Sequence, residues 1–262
     1  MRRIVFLAAA AAVLLAGCAG NPRLSQQLGE PVSQQTMTTE AGQRAKVHTE
    51  LGGLYLSRGN ASVALDEANQ AISADASYAP AYNLMGLVRM QLGENALAEQ
   101  SFKRALNLAP SDPEINNSFG WFLCQTGREQ LSFKYFQTAV KSPLYATPTM
   151  PYTNAGICAL RLKDDEAAEG YFLKALRVDA ANARAMYFLA DIAYRQGRLT
   201  DAHRYLDDLN RRVEPTAEIL WLGVRTERGL GDRSAEARYA SQLRSKFPDS
   251  PQTRRLLQGR YR

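Results

Sequence analysis

Small and apolar side chains recur at intervals of three and four residues through the middle of the chain. In the first such segment they are Leu51, Gly52, Tyr55, Ala64, Ala68 and Ala71. This spacing puts them on one face of a helix, because an α-helix completes a turn every 3.6 residues. A polar turn around Gly59 interrupts the run. The pattern therefore predicts two amphipathic helices joined by a tight turn.

The two-helix pattern repeats with a fixed period. Gly52, Gly86 and Gly120 lie 34 residues apart, and Gly156 follows 36 residues after Gly120. Each of these glycines is followed at matching offsets by a turn residue and an alanine, and in three units by an aromatic residue. The turn residues are Gly59, Gly93, Gly127 and Lys163, the aromatic residues are Phe102, Phe136 and Phe172, and the alanines are Ala71, Ala105, Ala139 and Ala175. A period of this length predicts stacked helical hairpins.

This repeat resembles the tetratricopeptide repeat (TPR), a helix–turn–helix unit of about 34 residues. The resemblance implies an all-α fold in residues 45–262, a solenoid of about six repeats that forms a right-handed superhelix. The predicted repeats are residues 45–78, 79–112, 113–146, 149–182, 183–216 and 217–250, followed by a short C-terminal cap. Three prolines in 141–151 explain a longer junction after unit three. Unit six departs from the pattern, because Val224 and Glu236 stand where small residues are expected.

The first residues have the pattern of a lipoprotein signal peptide. Two arginines precede an apolar run (4–15) that is too short to span a membrane, and Leu-Ala-Gly-Cys at 15–18 resembles a lipobox. We expect residues 1–17 to be removed and Cys18 to carry a covalent lipid, and Ala19 resembles the sorting signal of outer-membrane lipoproteins. The alternative is an ordinary secretory signal with a chance cysteine. Residues 18–44 are predicted to be a flexible tether.

The charge of the chain is unevenly distributed. The formal net charge is +6, and residues 211–262 contain twelve Lys and Arg against six Asp and Glu. This basic region is either a solvated cap or a contact for an acidic partner or anionic headgroups. A location outside the cytoplasm argues against a nucleic-acid partner.

No catalytic set of residues stands out in the sequence. The two histidines, His48 and His203, have no metal-ligand spacing, so both are predicted to be surface helix residues. Asp164, Asp165 and Glu166 fall at a helix start, where carboxylates cap the helix and complement its dipole. The sequence predicts a protein that is not an enzyme and that has no metal or cofactor apart from the lipid on Cys18.

Two further cysteines stand in neighbouring units. Cys124 lies four residues after Gly120 and Cys158 two residues after Gly156. First helices of adjacent units pack side by side in a TPR array, so a disulfide is geometrically plausible and would fasten the junction that the prolines interrupt. The alternative is a pair of buried free thiols, which behave as small hydrophobic groups.

The first helices of a TPR array line its inner surface, which can form a groove for a partner peptide or helix. Asparagine side chains can bond a peptide backbone, and aromatic or methionine side chains can anchor it. The predicted groove residues are Asn83, Leu87, Met90, Gln91, Asn117, Trp121, Gln125, Tyr187 and Tyr194; Cys124, Arg184 and Asp191 share the inward positions. The alternative is that Trp121 and Leu87 only pack between units.

A more specific resemblance begins at unit three. The run 109–127, the segments 142–148 and 154–160, and the closing 220–223 and 247–250 resemble the PilW/PilF family of type IV pilus biogenesis lipoproteins. This resemblance implies a pilotin, an outer-membrane lipoprotein facing the periplasm that binds the pilus secretin and promotes its localisation and multimer assembly. Other pilus-assembly proteins are further expected partners. The alternative function is an outer-membrane TPR adaptor that recruits peptidoglycan-remodelling enzymes.

Overall fold

A computed structural model describes residues 30–261 of the chain. These residues form α-helices and turns without β-strands, so the all-α prediction is confirmed. The helices are α1 (Glu40–Ser57), α2 (Ala61–Ala74), α3 (Ala79–Gln91), α4 (Asn95–Leu108), α5 (Pro113–Gln125), α6 (Glu129–Ala139), α7 (Thr149–Arg161), α8 (Asp165–Val178), α9 (Ala183–Arg195), α10 (Leu199–Asn210), α11 (Ala217–Leu230), α12 (Arg233–Lys246) and α13 (Pro251–Leu257). The predicted signal peptide (1–17), Cys18 and the tether up to residue 29 lie outside the described residues.

Helices α1 to α12 pair into six hairpins, which are the six units that the repeat pattern predicts. The recurring glycines mark the places where the two helices of a hairpin cross most closely. A Cβ atom on Gly86 would lie 2.7 Å from the ring of Phe102, and one on Gly156 would lie 2.6 Å from the ring of Phe172. The spacing of glycine and phenylalanine is therefore a packing requirement, because the aromatic ring occupies the volume that a side chain would need.

The turn inside each of the six hairpins contains a residue in the left-handed conformation. Gly59, Gly93, Gly127, Gly197 and Gly231 all have φ between 75° and 81°. Lys163 replaces glycine in unit four and still adopts a φ of 60°, the single positive φ of a non-glycine residue in the described chain. The turn geometry is thus retained in unit four despite the steric cost of a side chain there.

The segment before α1 differs from the prediction of a tether that extends to residue 44. Helix α1 begins at Glu40, and residues 31–39, which we call the strap, lie against the first units. Val32 packs on a cluster that contains Ala79 and Ile115. The backbone N–H of Ser33 donates to a carboxylate oxygen of Asp112 at 2.8 Å. The strap therefore belongs to the folded array.

Unit six follows the repeat pattern more closely than predicted. A Cβ atom on Gly223 would lie 2.6 Å from the ring of Tyr239, the same relation as between Gly86 and Phe102. Ala235 is the buried small residue of the second helix. The prediction that unit six is degenerate is wrong, because unit five is one residue shorter than the 34-residue period and Gly223, one residue before Val224, is the small residue of unit six.

Units three and four are fastened to each other by several contacts, which together form the three–four joint. A disulfide links Cys124 to Cys158, with their Cα atoms 5.8 Å apart. The amide nitrogen of Asn154 donates to the amide oxygen of Asn117 at 3.0 Å. Both cysteines are fully buried, so the disulfide forms part of the core beneath the inner surface.

Candidate functional site

The stacking of the hairpins creates a concave surface. First helices of successive units contact each other at four of the five junctions: α1 contacts α3, α3 contacts α5, α5 contacts α7, and α9 contacts α11. Second helices make no comparable contacts with one another within residues 30–261. Because the first helices are closer together, they lie on the inner side of the curve. The guanidinium of Arg184 in unit five confirms this curvature, since it reaches the ring of Trp121 in unit three at 6.0 Å.

Seven predicted groove residues expose part or most of their surface. Their side chains divide into an apolar stripe and a polar rim. The stripe contains the partly buried Leu87, Met90, Trp121, Tyr187 and Tyr194, and the rim contains the exposed Gln91 and Gln125. This arrangement combines apolar anchors with hydrogen-bonding groups that remain in water, as is typical of surfaces that bind a peptide or helix.

The two predicted groove asparagines do not lie on the surface. Asn83 is 6% exposed and Asn117 is 3% exposed. Asn117 uses its amide oxygen to accept the hydrogen bond from Asn154, and the amide oxygen of Asn83 is buried without a hydrogen-bond partner among residues 30–261. Their expected role of bonding a partner's backbone is therefore not supported by this arrangement. Cys124, also placed at an inward position, is likewise buried in its disulfide.

Two arginines also belong to the site. The prediction from the sequence places Arg184 at an inward position but does not include Arg225. Arg184 lies over Trp121, and Arg225 lies over Tyr194 at 4.7 Å and over Trp221 at 5.7 Å from the ring centroids. The Arg225–Trp221 pair has a sequence signal, because residues four apart share a helix face. The Arg225–Tyr194 pair joins two units and has no such local signal.

Several charged side chains act on the phenol of Tyr187, which lies on this surface. Burial raises the pKa of its phenol, and the carboxylates of Asp191 and Glu218 raise it further, while Arg225 acts in the opposite direction. The phenol therefore stays neutral at physiological pH and can serve as an apolar anchor with a hydrogen-bonding tip.

The histidines lie outside this surface and each contacts a carboxylate. His203 Nδ1 is 2.7 Å from the buried Glu227, and His48 Nδ1 is 2.6 Å from Glu67. The acidic triplet behaves as predicted, since Asp164 caps α8 by accepting a hydrogen bond from the N–H of Ala167. Within residues 30–261 no group of three or more His, Cys, Asp or Glu side chains is arranged to hold a metal ion.

Comparison with known proteins agrees with the fold. Tetratricopeptide-repeat family models match residues 79–112 and 153–212. The crystal structure of PilW, described as a type IV pilus biogenesis factor, is 30% identical, covers 81% of this chain and 98% of its own, and superposes with a TM-score of 0.73. This chain belongs to the PilW family.

A second member of the PilW family extends the comparison. The type IV pilus assembly protein PilF of Pseudomonas aeruginosa is 27% identical over 219 residues, which cover 83% of this chain and 87% of PilF. The solved structure of P. aeruginosa PilF is 25% identical, has a TM-score of 0.76 and covers 84% of this chain and 100% of its own. The similarity to the PilW family therefore spans the whole array of repeats and is not confined to a few of them.

Proposed function

We propose that this protein acts in type IV pilus biogenesis as an outer-membrane lipoprotein scaffold, a pilotin, that binds the pilus secretin. The observation that carries the proposal is the similarity to PilW and PilF along the full length of the repeat array. The concave surface supports it, because its apolar stripe and polar rim suit a bound protein segment.

The proposed mechanism needs no catalysis by this chain. A lipid on Cys18 would hold the scaffold at the outer membrane, since acyl chains gain about 0.8 kcal/mol for each buried methylene group. The concave surface would then hold a segment of the secretin. Confinement near the membrane raises the local concentration of secretin subunits and favours their assembly into multimers.

The decisive experiment is deletion of the gene, followed by membrane fractionation and a blot for detergent-resistant secretin multimers. We expect the multimers to disappear or to remain in the inner membrane, and the wild-type gene to restore them. Multimers unchanged in amount and location would contradict the proposal. Altered cell shape with intact pili would instead favour an adaptor for peptidoglycan-remodelling enzymes.

The lipid anchor has its own test. Cys18→Ser should leave the helical circular-dichroism signal intact and release the protein from the outer-membrane fraction. Retention of this variant in the outer membrane would show that the anchor is not a lipid on Cys18.

The concave surface can be tested with a matched pair of variants. Trp121→Ala removes a partly buried anchor on a first helix, whereas Leu131→Ala removes a side chain that is 47% exposed on the second helix α6. We expect Trp121→Ala to weaken capture of the purified periplasmic part of the secretin, and Leu131→Ala to leave it unchanged. Equal capture by both variants and the wild type would exclude this surface.

A further inference from the structure

The arginines of the concave surface differ from those at the hairpin junctions. Arg128 pairs with Glu99 at 3.0 Å, and Arg198 pairs with Glu169 at 2.7 Å, each across neighbouring units. Arg184 and Arg225 form neither an ion pair nor a hydrogen bond with any residue of the described chain. Arg128 and Arg198 are therefore paired with carboxylates of the preceding unit, whereas Arg184 and Arg225 contact aromatic rings and have no ion pair within residues 30–261.

Arg225 is the more constrained of the two. It is partly buried, and its Nε atom is shielded from solvent without a hydrogen-bond partner in the described part of the chain. An N–H group of a guanidinium that has lost water and gained no acceptor carries a free-energy cost. The rings of Tyr194 and Trp221 offset part of this cost through cation–π contact. An incoming acceptor would gain more here than at a solvated arginine.

The nearby carboxylates do not supply that acceptor. Asp191 bonds to Arg195 at 2.9 Å, and Glu218 accepts a hydrogen bond from Gln252 at 3.1 Å. Both contribute to the electrostatic surroundings of Tyr187, so they lie close to the site, yet neither pairs with Arg225. Arg225 is thus left without a direct hydrogen-bond acceptor among residues 30–261 despite its acidic neighbours.

We infer that the concave surface around Arg184, Tyr187 and Arg225 binds a protein segment that presents a carboxylate between apolar side chains. The carboxylate belongs to an Asp, a Glu or a chain terminus. A guanidinium stacked on an aromatic ring keeps the donors at its edge free, and the planar fork matches the two oxygens of a carboxylate. Trp121 and Tyr194 lie on either side and provide the apolar anchors. This inference rests on the proposed function and specifies the chemistry of the bound segment.

The test uses overlapping synthetic peptides that cover the periplasmic part of the secretin. Each peptide that binds is compared with a twin in which Asp and Glu are replaced by Asn and Gln and the terminus is amidated. Affinities are measured by fluorescence anisotropy with the wild-type protein, Arg225→Gln, Arg184→Gln and Arg104→Gln. Arg104 is the matched control, because it is an exposed arginine over the ring of Tyr82 at 5.5 Å on the second helix α4.

For the wild type we expect the acidic peptide to bind at least about tenfold more tightly than its twin, as expected for a charge-assisted bidentate contact. Arg225→Gln should abolish most of this preference, Arg184→Gln should reduce it, and Arg104→Gln should preserve it. Thermal melting verifies that the variants remain folded. Equal affinity for acidic and neutral twins, or a preference that survives both substitutions, would overturn the inference.

Failure of the secretin peptides can be separated from failure of the inference. If none binds, a phage-displayed library of random peptides is selected on the wild-type protein and counter-selected on Arg225→Gln. Enrichment of acidic residues supports the inference while removing the secretin as the partner. Selection without acidic enrichment overturns it. Binding of phosphatidylglycerol vesicles that depends on both arginines, without a peptide preference, would assign the surface to anionic headgroups.

Discussion

Two joints of the array are built in different ways. The three–four joint has a buried disulfide and an amide hydrogen bond whose partners are both internal. The five–six joint has an apolar cluster that includes Leu206 and Leu222 but no covalent link. Its polar contacts are the His203–Glu227 pair, a hydrogen bond from Asn210 to Tyr239 and Arg225 over Tyr194. Four of the six buried polar atoms that lack a protein partner in residues 30–261 are in units five and six, on Asn210, Arg225, Thr226 and Glu227.

We expect the three–four joint to be the more rigid of the two, whereas the five–six joint contains part of the proposed binding surface. Buried polar groups without partners are costly, so the five–six joint is expected to open more readily than the cross-linked three–four joint. The same joint contains the uncompensated Arg225 of the concave surface. The structure therefore concentrates its covalent reinforcement in the middle of the array and its uncompensated polar groups near the C-terminal end. Hydrogen exchange should be faster in α9–α12 than in α5–α8.

The largest expected effect is the loss of the disulfide. Cys158→Ser opens a cross-link between residues 34 apart in sequence, and we expect the free energy of unfolding to fall by about 2–4 kcal/mol. Urea titration monitored by circular dichroism measures this change. Hydrogen exchange should rise mainly in α5–α8, which would remove the contrast between the two joints.

Reduction of the wild-type protein provides the control for this variant. A reductant should lower the urea midpoint of the wild type towards that of Cys158→Ser and leave the variant unchanged. A wild-type midpoint that does not respond to the reductant would show that the cysteines are free thiols in solution.

A second prediction concerns the crossing of the helices in unit four. Gly156→Ala would place a methyl group against the ring of Phe172, and we expect a loss of about 1–3 kcal/mol from overpacking. Gly170→Ala in α8 is the matched control, because no atom lies within 4 Å of the added methyl group outside its own helix backbone and chain neighbours. That change should stabilise the protein by about 0.5–1 kcal/mol through helix propensity. The two melting temperatures should therefore move in opposite directions.

The five–six joint is tested by removing its histidine. His203→Ala leaves the carboxylate of Glu227, which is 2% exposed, without its partner, and we expect a loss of about 1–2 kcal/mol. His48→Ala in unit one should cost less, because Glu67 is 13% exposed and water can reach it. Thermal melts of the two variants measure the difference. A larger loss for His48→Ala would contradict the special role assigned to the five–six joint.

The smallest expected effect concerns Glu114 beside the three–four joint. Burial raises the pKa of its carboxyl, although the hydrogen bond from Tyr145 acts in the opposite direction. A raised pKa stabilises the fold below the ordinary pKa of the carboxyl, and this contribution is lost as the pH rises through the folded-state pKa. Glu114→Gln should therefore raise the melting temperature near pH 7.5 by a small amount and leave it almost unchanged near pH 4. A gain that is larger at the acidic pH would contradict this assignment.

The parts of the fold that depend on local periodicity could be predicted from the sequence. Gly86, Gly120 and Gly156 repeat because each of these three hairpins packs a phenylalanine ring over its small residue, and that requirement is visible as a period. The phase of unit six does not follow from a constant period, because a change of one residue in repeat length moves every subsequent position. Gly223 therefore lies one residue outside the expected register, although it packs against Tyr239 as the earlier glycines pack against phenylalanine.

The site was predictable only in part. Leu87, Met90, Trp121, Tyr187 and Tyr194 follow from their inward positions on the first helices. The burial of Asn83 and Asn117 could not be inferred, because the depth of a side chain depends on how closely neighbouring units pack. The strap has few apolar residues and no period, so its contacts with distant units leave no pattern in the sequence.

The strap also limits the reach of the array. Pro31, where the strap begins, is thirteen residues after Cys18, whereas Glu40 at the start of α1 is twenty-two residues after it. A fully extended chain spans about 3.3–3.6 Å per residue, so the maximum distance from an anchored Cys18 to the folded part is about 45 Å instead of about 75 Å. Packing nine residues against the array thus shortens the maximum span between an anchored Cys18 and the folded repeats by about 30 Å.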